Sequence, residues 1–254
     1  MNDLILSLIT GIFVGGAAAL LGSLMVSRRM ALAGDALGHI ALPGIGLALL
    51  FNFDVTLGAV IFLVLGIILI YFLNLKTSLP MEALVGIVFV ASLALGFLII
   101  PGKDLEQALI GDISKVSFNT AIISLILSLF AIFIIKIIYK KIVLLNVSED
   151  LAKVNGIDAK KYNFIYLLLI ALVVALGIKV TGTLLVGALL IVPASSSRNL
   201  TKSLKGYSFF SAIFGILSCI IGIIVANYFS ITAGPIIILI SSAFFLLSLV
   251  FKKG

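Results

Sequence analysis

The chain has 254 residues, 63% of them hydrophobic and 11% charged, with a formal net charge of +7 and a mean hydropathy of +1.38. Soluble domains are about 45–50% apolar and about 25% charged, so a water-soluble fold is excluded. Nucleic-acid binding is excluded too, because the cations lie beside apolar runs, where membrane insertion and anionic lipid place them. Runs such as Ala59 to Leu73 and Ala121 to Ile135 are apolar on every face, which rules out a β-barrel built from alternating segments.

The expected fold is all-α and polytopic, a single membrane domain over residues 1–254. It has nine spans, or eight if the short seventh does not cross. In chain order they are Leu4 to Val26, Gly34 to Phe51, Val55 to Leu73, Leu84 to Ile100, Ala121 to Ile138, Asn163 to Gly177, Leu184 to Ala194, Phe209 to Tyr228 and Pro235 to Phe251. The stretch from Pro101 to Asn119 reads as a loop with a short amphipathic turn, and Tyr139 to Tyr162 is the longest polar segment. Pro43 and Pro193 are expected to kink or break spans two and seven. Ser195-Ser196-Ser197 with Arg198 is expected to end span seven at the membrane surface. Met1-Asn2-Asp3 lacks the positive start of a signal peptide. Cys219 has no partner for an intramolecular disulfide and reads as packing.

An outside N-terminus sends Arg28, Arg29, Lys76, Lys136, Lys140, Lys141, Lys153, Lys160, Lys161, Arg198, Lys202, Lys205, Lys252 and Lys253 to the cytoplasmic side. It leaves Lys103, Lys115 and Lys179 outside, a division of 14 against 3. The positive-inside rule therefore favours the N-terminus outside and the C-terminus inside. There is no internal repeat of the kind that marks inverted-repeat transporters.

Asp35 and His39, the only histidine, stand four residues apart in the second span. On a helix they share a face one turn from each other. Ionisable residues at that depth cost about 2.5–3.5 kcal/mol on insertion scales and normally face protein or an aqueous path. Carboxylate plus imidazole suits Mn²⁺, Fe²⁺ or Zn²⁺, whereas Mg²⁺ and Ca²⁺ prefer oxygen alone. One chain supplies two ligands; two copies about a two-fold axis, with this helix lining the path, would supply four. Three other readings remain open from spacing alone: a hydrogen bond holding helices together, Asp35 as a helix cap, and a proton relay.

In the polar segment, Ser148 can cap a short helix that carries Glu149 and Asp150 in its first turn and ends at Gly156. The alternative is an ordinary solvated loop with a helical turn.

Five blocks resemble the permeases of manganese, zinc and iron ABC importers, in order and over nearly the whole chain. They are Ser27-Arg28-Arg29-Met30, Gly34-Asp35-Ala36-Leu37-Gly38-His39, Leu109-Ile110-Gly111-Asp112-Ile113, Lys179 through Ala194, and Thr232-Ala233-Gly234-Pro235. The resemblance implies a permease of the prokaryotic cell membrane that carries a divalent metal (Mn, Zn or Fe) and holds no permanent cofactor. It implies a second permease copy, a homodimer or a pair of related chains, with an extracytoplasmic metal-binding protein and an ATP-binding cassette subunit as partners. No Gly-x-x-x-x-Gly-Lys-[Ser/Thr] loop occurs in this sequence, so ATP belongs on that partner subunit. The family's metal-contacting Asp and His fall on Asp35 and His39, with Gly38 where an alanine is expected. The segment 140–161 looks like the coupling element, carried by Glu149, Asp150, Leu151, Ala152, Lys153, Gly156 and Ile157. The rival functional reading is a secondary metal/proton transporter that uses the Asp35–His39 pair. Asp112 and Glu106 are not assigned to the site.

Overall fold

The computed structural model describes residues 3–100, Leu109, Ile113, and residues 116–183 and 185–251. Their helices, in chain order, are α1 (Asp3–Ser27), α2 (Ala31–Ile40), α3 (Leu42–Phe51), α4 (Val55–Lys76), α5 (Met81–Ile99) and α6 (Phe118–Val147). There follow α7 (Glu149–Val154), α8 (Ala159–Thr181), α9 (Val186–Leu200), α10 (Leu204–Phe229) and α11 (Ala233–Val250). Side chains start several of them where the sequence changes from polar to apolar. Asp54 accepts from the Leu57 N–H at 2.8 Å, Ser117 from Thr120 at 3.3 Å, Asp158 from Lys161 at 3.2 Å and Ser203 from Gly206 at 3.1 Å. Each satisfies one of the amide groups that a helix start leaves orphaned.

Among the described residues, eight helical segments are long and apolar enough to cross a membrane, with α2 and α3 counting as one from Ala33 to Phe51. The expected second span is thus two short helices. Pro43 has no N–H to offer the His39 carbonyl, so the regular ladder fails there and α3 begins anew at Leu42.

The seventh span differs from expectation. It is a 15-residue helix, α9, about 22 Å long against a hydrocarbon core of about 30 Å. Pro193 does not break it, and the three serines lie inside it instead of ending it. Ser196 returns its hydroxyl to the Val192 carbonyl at 2.9 Å, and Ser197 donates to the Tyr207 carbonyl at 2.7 Å. Thr181, just before α9, lies against Gly234 at the start of α11. Asn199 near the end of α9 donates to Ser248 near the end of α11 at 2.9 Å. The stretch from Thr181 to Asn199 therefore runs the length of α11, using a non-helical turn at Gly182, Thr183 and Leu185 together with the short helix.

Helix α6 also departs from the sequence reading. Its 30 residues reach about 45 Å, so it continues through the first part of the polar segment and ends beyond the hydrocarbon. The expected loop turn between α5 and α6, including Lys103, Glu106, Asp112 and Lys115, lies outside the described residues.

The layers follow from burial. The α2–α3 span is 72% buried, α8 67% and α1 61%, whereas α5 is 22% and α11 28% buried, so the first three form the interior. Some interior hydroxyls are satisfied within their own helices, as in Ser211 to the Tyr207 carbonyl and Ser218 to the Phe214 carbonyl, both at 2.7 Å, whereas those of Thr10, Ser128 and Ser241 find no hydrogen-bond partner among the described residues. Cys219 is fully buried.

Where α1 crosses α9 the backbones touch: a Cβ on Gly22 would lie 1.8 Å from the Leu190 carbonyl oxygen. Such contacts exist only where a residue has no side chain. At Gly86 on α5, by contrast, an added Cβ meets nothing within 4 Å. Gly22→Ala is expected to destabilise the chain by about 1–3 kcal/mol or more. Gly86→Ala should be neutral or stabilising by up to about 1 kcal/mol. Thermal unfolding of the detergent-solubilised chain measures both, and equal effects would contradict the packing described.

Candidate metal site and the capped polar knob

The helix that carries Asp35 and His39 is set by the turn before it. Helix α1 ends with Arg29 in the left-handed region (φ 57°). The Arg29 N–H donates to Val26 at 3.2 Å and the Met30 N–H to Met25 at 2.9 Å. This is the paired hydrogen bonding of a Schellman motif, with arginine in place of the usual glycine. Helix α2 follows at once, with Met30 as its N-cap and no side-chain cap bond. Asp35 is therefore an interior residue of α2, and the capping reading of it is overturned: the helix starts at Ala31, one turn earlier than the sequence reading placed it.

Both residues lie inside a close-packed shell. An added Cβ on Gly187 of α9 would stand 2.6 Å from the Asp35 Cα, and one on Gly38 would stand 2.6 Å from the Thr183 carbonyl oxygen. The second distance explains glycine at position 38, because an alanine methyl would strike backbone. His39 occupies the last turn of α2, 8% exposed, with the Phe89 ring of α5 at 5.5 Å and tilted by 46°. Its Nδ1 is buried and has no hydrogen-bond partner among the described residues. An unmet buried polar atom costs about 1–3 kcal/mol. Asp35 is only half-buried, so the carboxylate end of the pair stays the more open one. No group of three or more His, Cys, Asp or Glu side chains gathers among the described residues, so the pair stands without a third ligand of those kinds. Helix α2 packs on α1, α4, α5, α8 and α9 of its own chain.

The polar segment has the local structure that its sequence implies. Ser148 caps α7 by accepting from the Leu151 N–H at 3.2 Å, and Glu149 and Asp150 occupy its first turn. Gly156 (φ 70°) closes it: its N–H donates to Lys153 and that of Ile157 to Ala152, both at 2.9 Å. These are again the two bonds of a Schellman motif. Ala152 faces inward and is buried, Ile157 is half-buried, and Lys153 pairs with Asp150 at 3.7 Å on the exposed side. That surface pair adds little stability. Leu151 is 52% and Val154 86% exposed, an apolar pair on a six-residue polar helix. Val154 was not singled out from sequence, although its spacing of three from Leu151 places both on one side. Phe89, Thr183 and Gly187 were also missed, because their relation to Asp35 and His39 arises only from packing between helices.

The sequence pattern of the ABC 3 transport family matches residues 1–252. The manganese transport system membrane protein MntC of Listeria monocytogenes is 29% identical over 98% of this chain and 91% of its own length. The high-affinity zinc uptake system membrane protein ZnuB of Buchnera aphidicola is 31% identical over 94% of each chain. Among solved structures, PsaBC from Streptococcus pneumoniae in complex with Fab superposes with a TM-score of 0.84 at 31% identity, over 98% of this chain and 91% of the other. With eight apolar spans and this full-length likeness, the chain belongs to the ABC 3 transport family, as a multi-pass permease subunit of the prokaryotic cell membrane that leaves ATP hydrolysis to a separate polypeptide.

Proposed function

We propose that residues 1–254 act as one permease domain importing Mn²⁺ or Zn²⁺, with Asp35 and His39 as the groups that meet the ion. The observation that carries this reading is the buried His39 Nδ1 with no hydrogen-bond partner among the described residues, one helical turn from half-buried Asp35. A polar atom left unmet in the protein interior is accounted for if a passing cation supplies the missing interaction. Neutral imidazole and carboxylate match the donor preferences of both metals, and relatives named for manganese and for zinc support that cargo. Iron has the same donor preference and lies among the outcomes of an uptake assay. The stand-alone proton-coupled alternative is not favoured, because the chain belongs to a family of ABC transporters.

Two ligands do not complete a coordination sphere. A second permease copy would bring another Asp35 and His39, and we favour a homodimer with the ion path between the copies. Metal would arrive from an extracytoplasmic binding protein. The N-terminus is placed outside by the charge division, which puts α7 in the cytoplasm. There the exposed Leu151 and Val154, presented by the capped turn that Ser148 and Gly156 close, suit a groove on an ATP-binding cassette subunit, with Glu149, Asp150 and Lys153 around them. Apolar centre and charged rim are the usual anatomy of such a contact.

His39→Ala is expected to lower Mn²⁺ and Zn²⁺ uptake by at least about tenfold while the chain still folds, since the Nδ1 it removes makes no hydrogen bond among the described residues. Uptake of both ions at the wild-type rate, at matched membrane abundance, would reject the site. Val154→Asp is expected to weaken copurification of the ATPase subunit without lowering the thermal stability of the permease, because the side chain is exposed. Undiminished copurification would reject the knob as the contact.

A further inference from the structure

We propose that Arg28 is a positioning residue that carries movement of the α7 knob into the α1–α2 turn, and through it to Asp35 and His39. The proposal rests on the reading of α7 as the ATPase contact.

Arg28 follows the last residue of α1, and its guanidinium leaves that helix to meet two others. It donates to the Asn163 side-chain oxygen at 2.9 Å and lies 5.0 Å from the centre of the Tyr166 ring, both on α8. Beyond them is a cavity of about 240 Å³ lined by Arg28, Asn74, Pro80, Asn163, Tyr166 and Glu149. Glu149 is the first residue of α7. Burial draws the Arg28 guanidinium below its usual range, and the Glu149 carboxylate opposes that. No carboxylate oxygen lies within 4.0 Å of Arg28 among the described residues. The glutamate therefore acts across the cavity and not through a formed ion pair.

This arrangement can take two forms. In the one described here the cavity separates Glu149 from Arg28; a shift of α7 toward α8 would bring the carboxylate onto the guanidinium. Arg28 is half-buried and Glu149 exposed, so the pair would be screened less at its arginine end than the Lys153–Asp150 pair, which is exposed at both ends. What Arg28 experiences cannot dissipate in a loose loop. The next residue, Arg29, is fixed in the left-handed region, Met30 is bonded back to Met25, and α2 starts at Ala31. A second strut runs in parallel, since Asn146, two residues before the α7 cap, donates to the Ser27 carbonyl at 2.6 Å. A bistable contact joined to a rigid turn is the physical requirement for coupling between separated sites.

The test is ions transported per ATP hydrolysed, in vesicles holding the permease with its ATPase and supplied with binding protein. Arg28→Gln and Glu149→Gln are each expected to lower that ratio about fivefold or more, read per assembled complex because Glu149 also borders the proposed ATPase contact. The exchanged pair Arg28→Glu with Glu149→Arg should restore most of it. A brace that merely held α1 on α8 through Asn163 and Tyr166 would not be rescued by the exchange and would be indifferent to Glu149→Gln. An unchanged ratio in assembled Glu149→Gln complexes overturns the proposal whether or not Arg28→Gln assembles. So does an exchange no better than Arg28→Glu alone. A wild-type complex that hydrolyses ATP and carries no metal would instead reject the proposed function on which this rests.

Discussion

Backbone contact between α2 and the stretch from Thr183 to Gly187 is the constraint on which the candidate site depends. In hydrocarbon, apolar burial does not draw helices together, so close van der Waals approach must do so. The approach is possible because Gly38 and Gly187 have no Cβ: one would strike the Thr183 carbonyl oxygen and the other the Asp35 Cα, each at 2.6 Å. Held this way, a helix of only ten residues keeps Asp35 and His39 in protein surroundings instead of lipid. The same contact orders the non-helical turn before α9, whose polar backbone is tolerable at that depth because protein covers it.

Much of this was legible in the sequence. Span positions followed from apolar runs, and the α7 knob was recognisable in detail because Ser148 and Gly156 act locally, through their own neighbours. The pairing of Asp35 with His39 was likewise a matter of helical period. What could not be read depended on distant segments or on competition between rules. The capping reading of Asp35 failed because the Arg29 turn starts α2 early, using a left-handed conformation that arginine seldom adopts. Pro43 ended a helix as expected, whereas Pro193 did not, since α9 is packed along α1, α2, α10 and α11 and those neighbours outweigh one lost hydrogen bond. Phe89 carries no sequence signal at all; only the packing of α5 on α2 brings it over His39.

The molecule divides its labour by burial. Buried hydroxyls are spread over most helices, whereas the Asp35–His39 pair sits in the interior α2–α3 span, and the outer helices α5 and α11 also present apolar side chains such as Leu98 and Val250. The end that carries α7 is organised differently, by caps and polar contacts: Asn146 to Ser27, Arg28 to Asn163, and Lys141 to Tyr162. These tie the ends of α1, α6 and α8 to one another beside the knob. An energy source acting on α7 would thus reach the ends of the interior helices α1 and α8 as well as α6, as rigid-body alternation of access requires.

The central claim is that the transported ion meets His39. Because the chain contains a single histidine, pulsed electron paramagnetic resonance of Mn²⁺ added to the tag-free protein in lipid nanodiscs tests it most directly. The account predicts a nitrogen coupling of imidazole character that changes isotope signature when the permease is labelled with ¹⁵N-histidine and vanishes in His39→Gln. A bound Mn²⁺ with oxygen ligands only, unaltered by the label or the substitution, would contradict it.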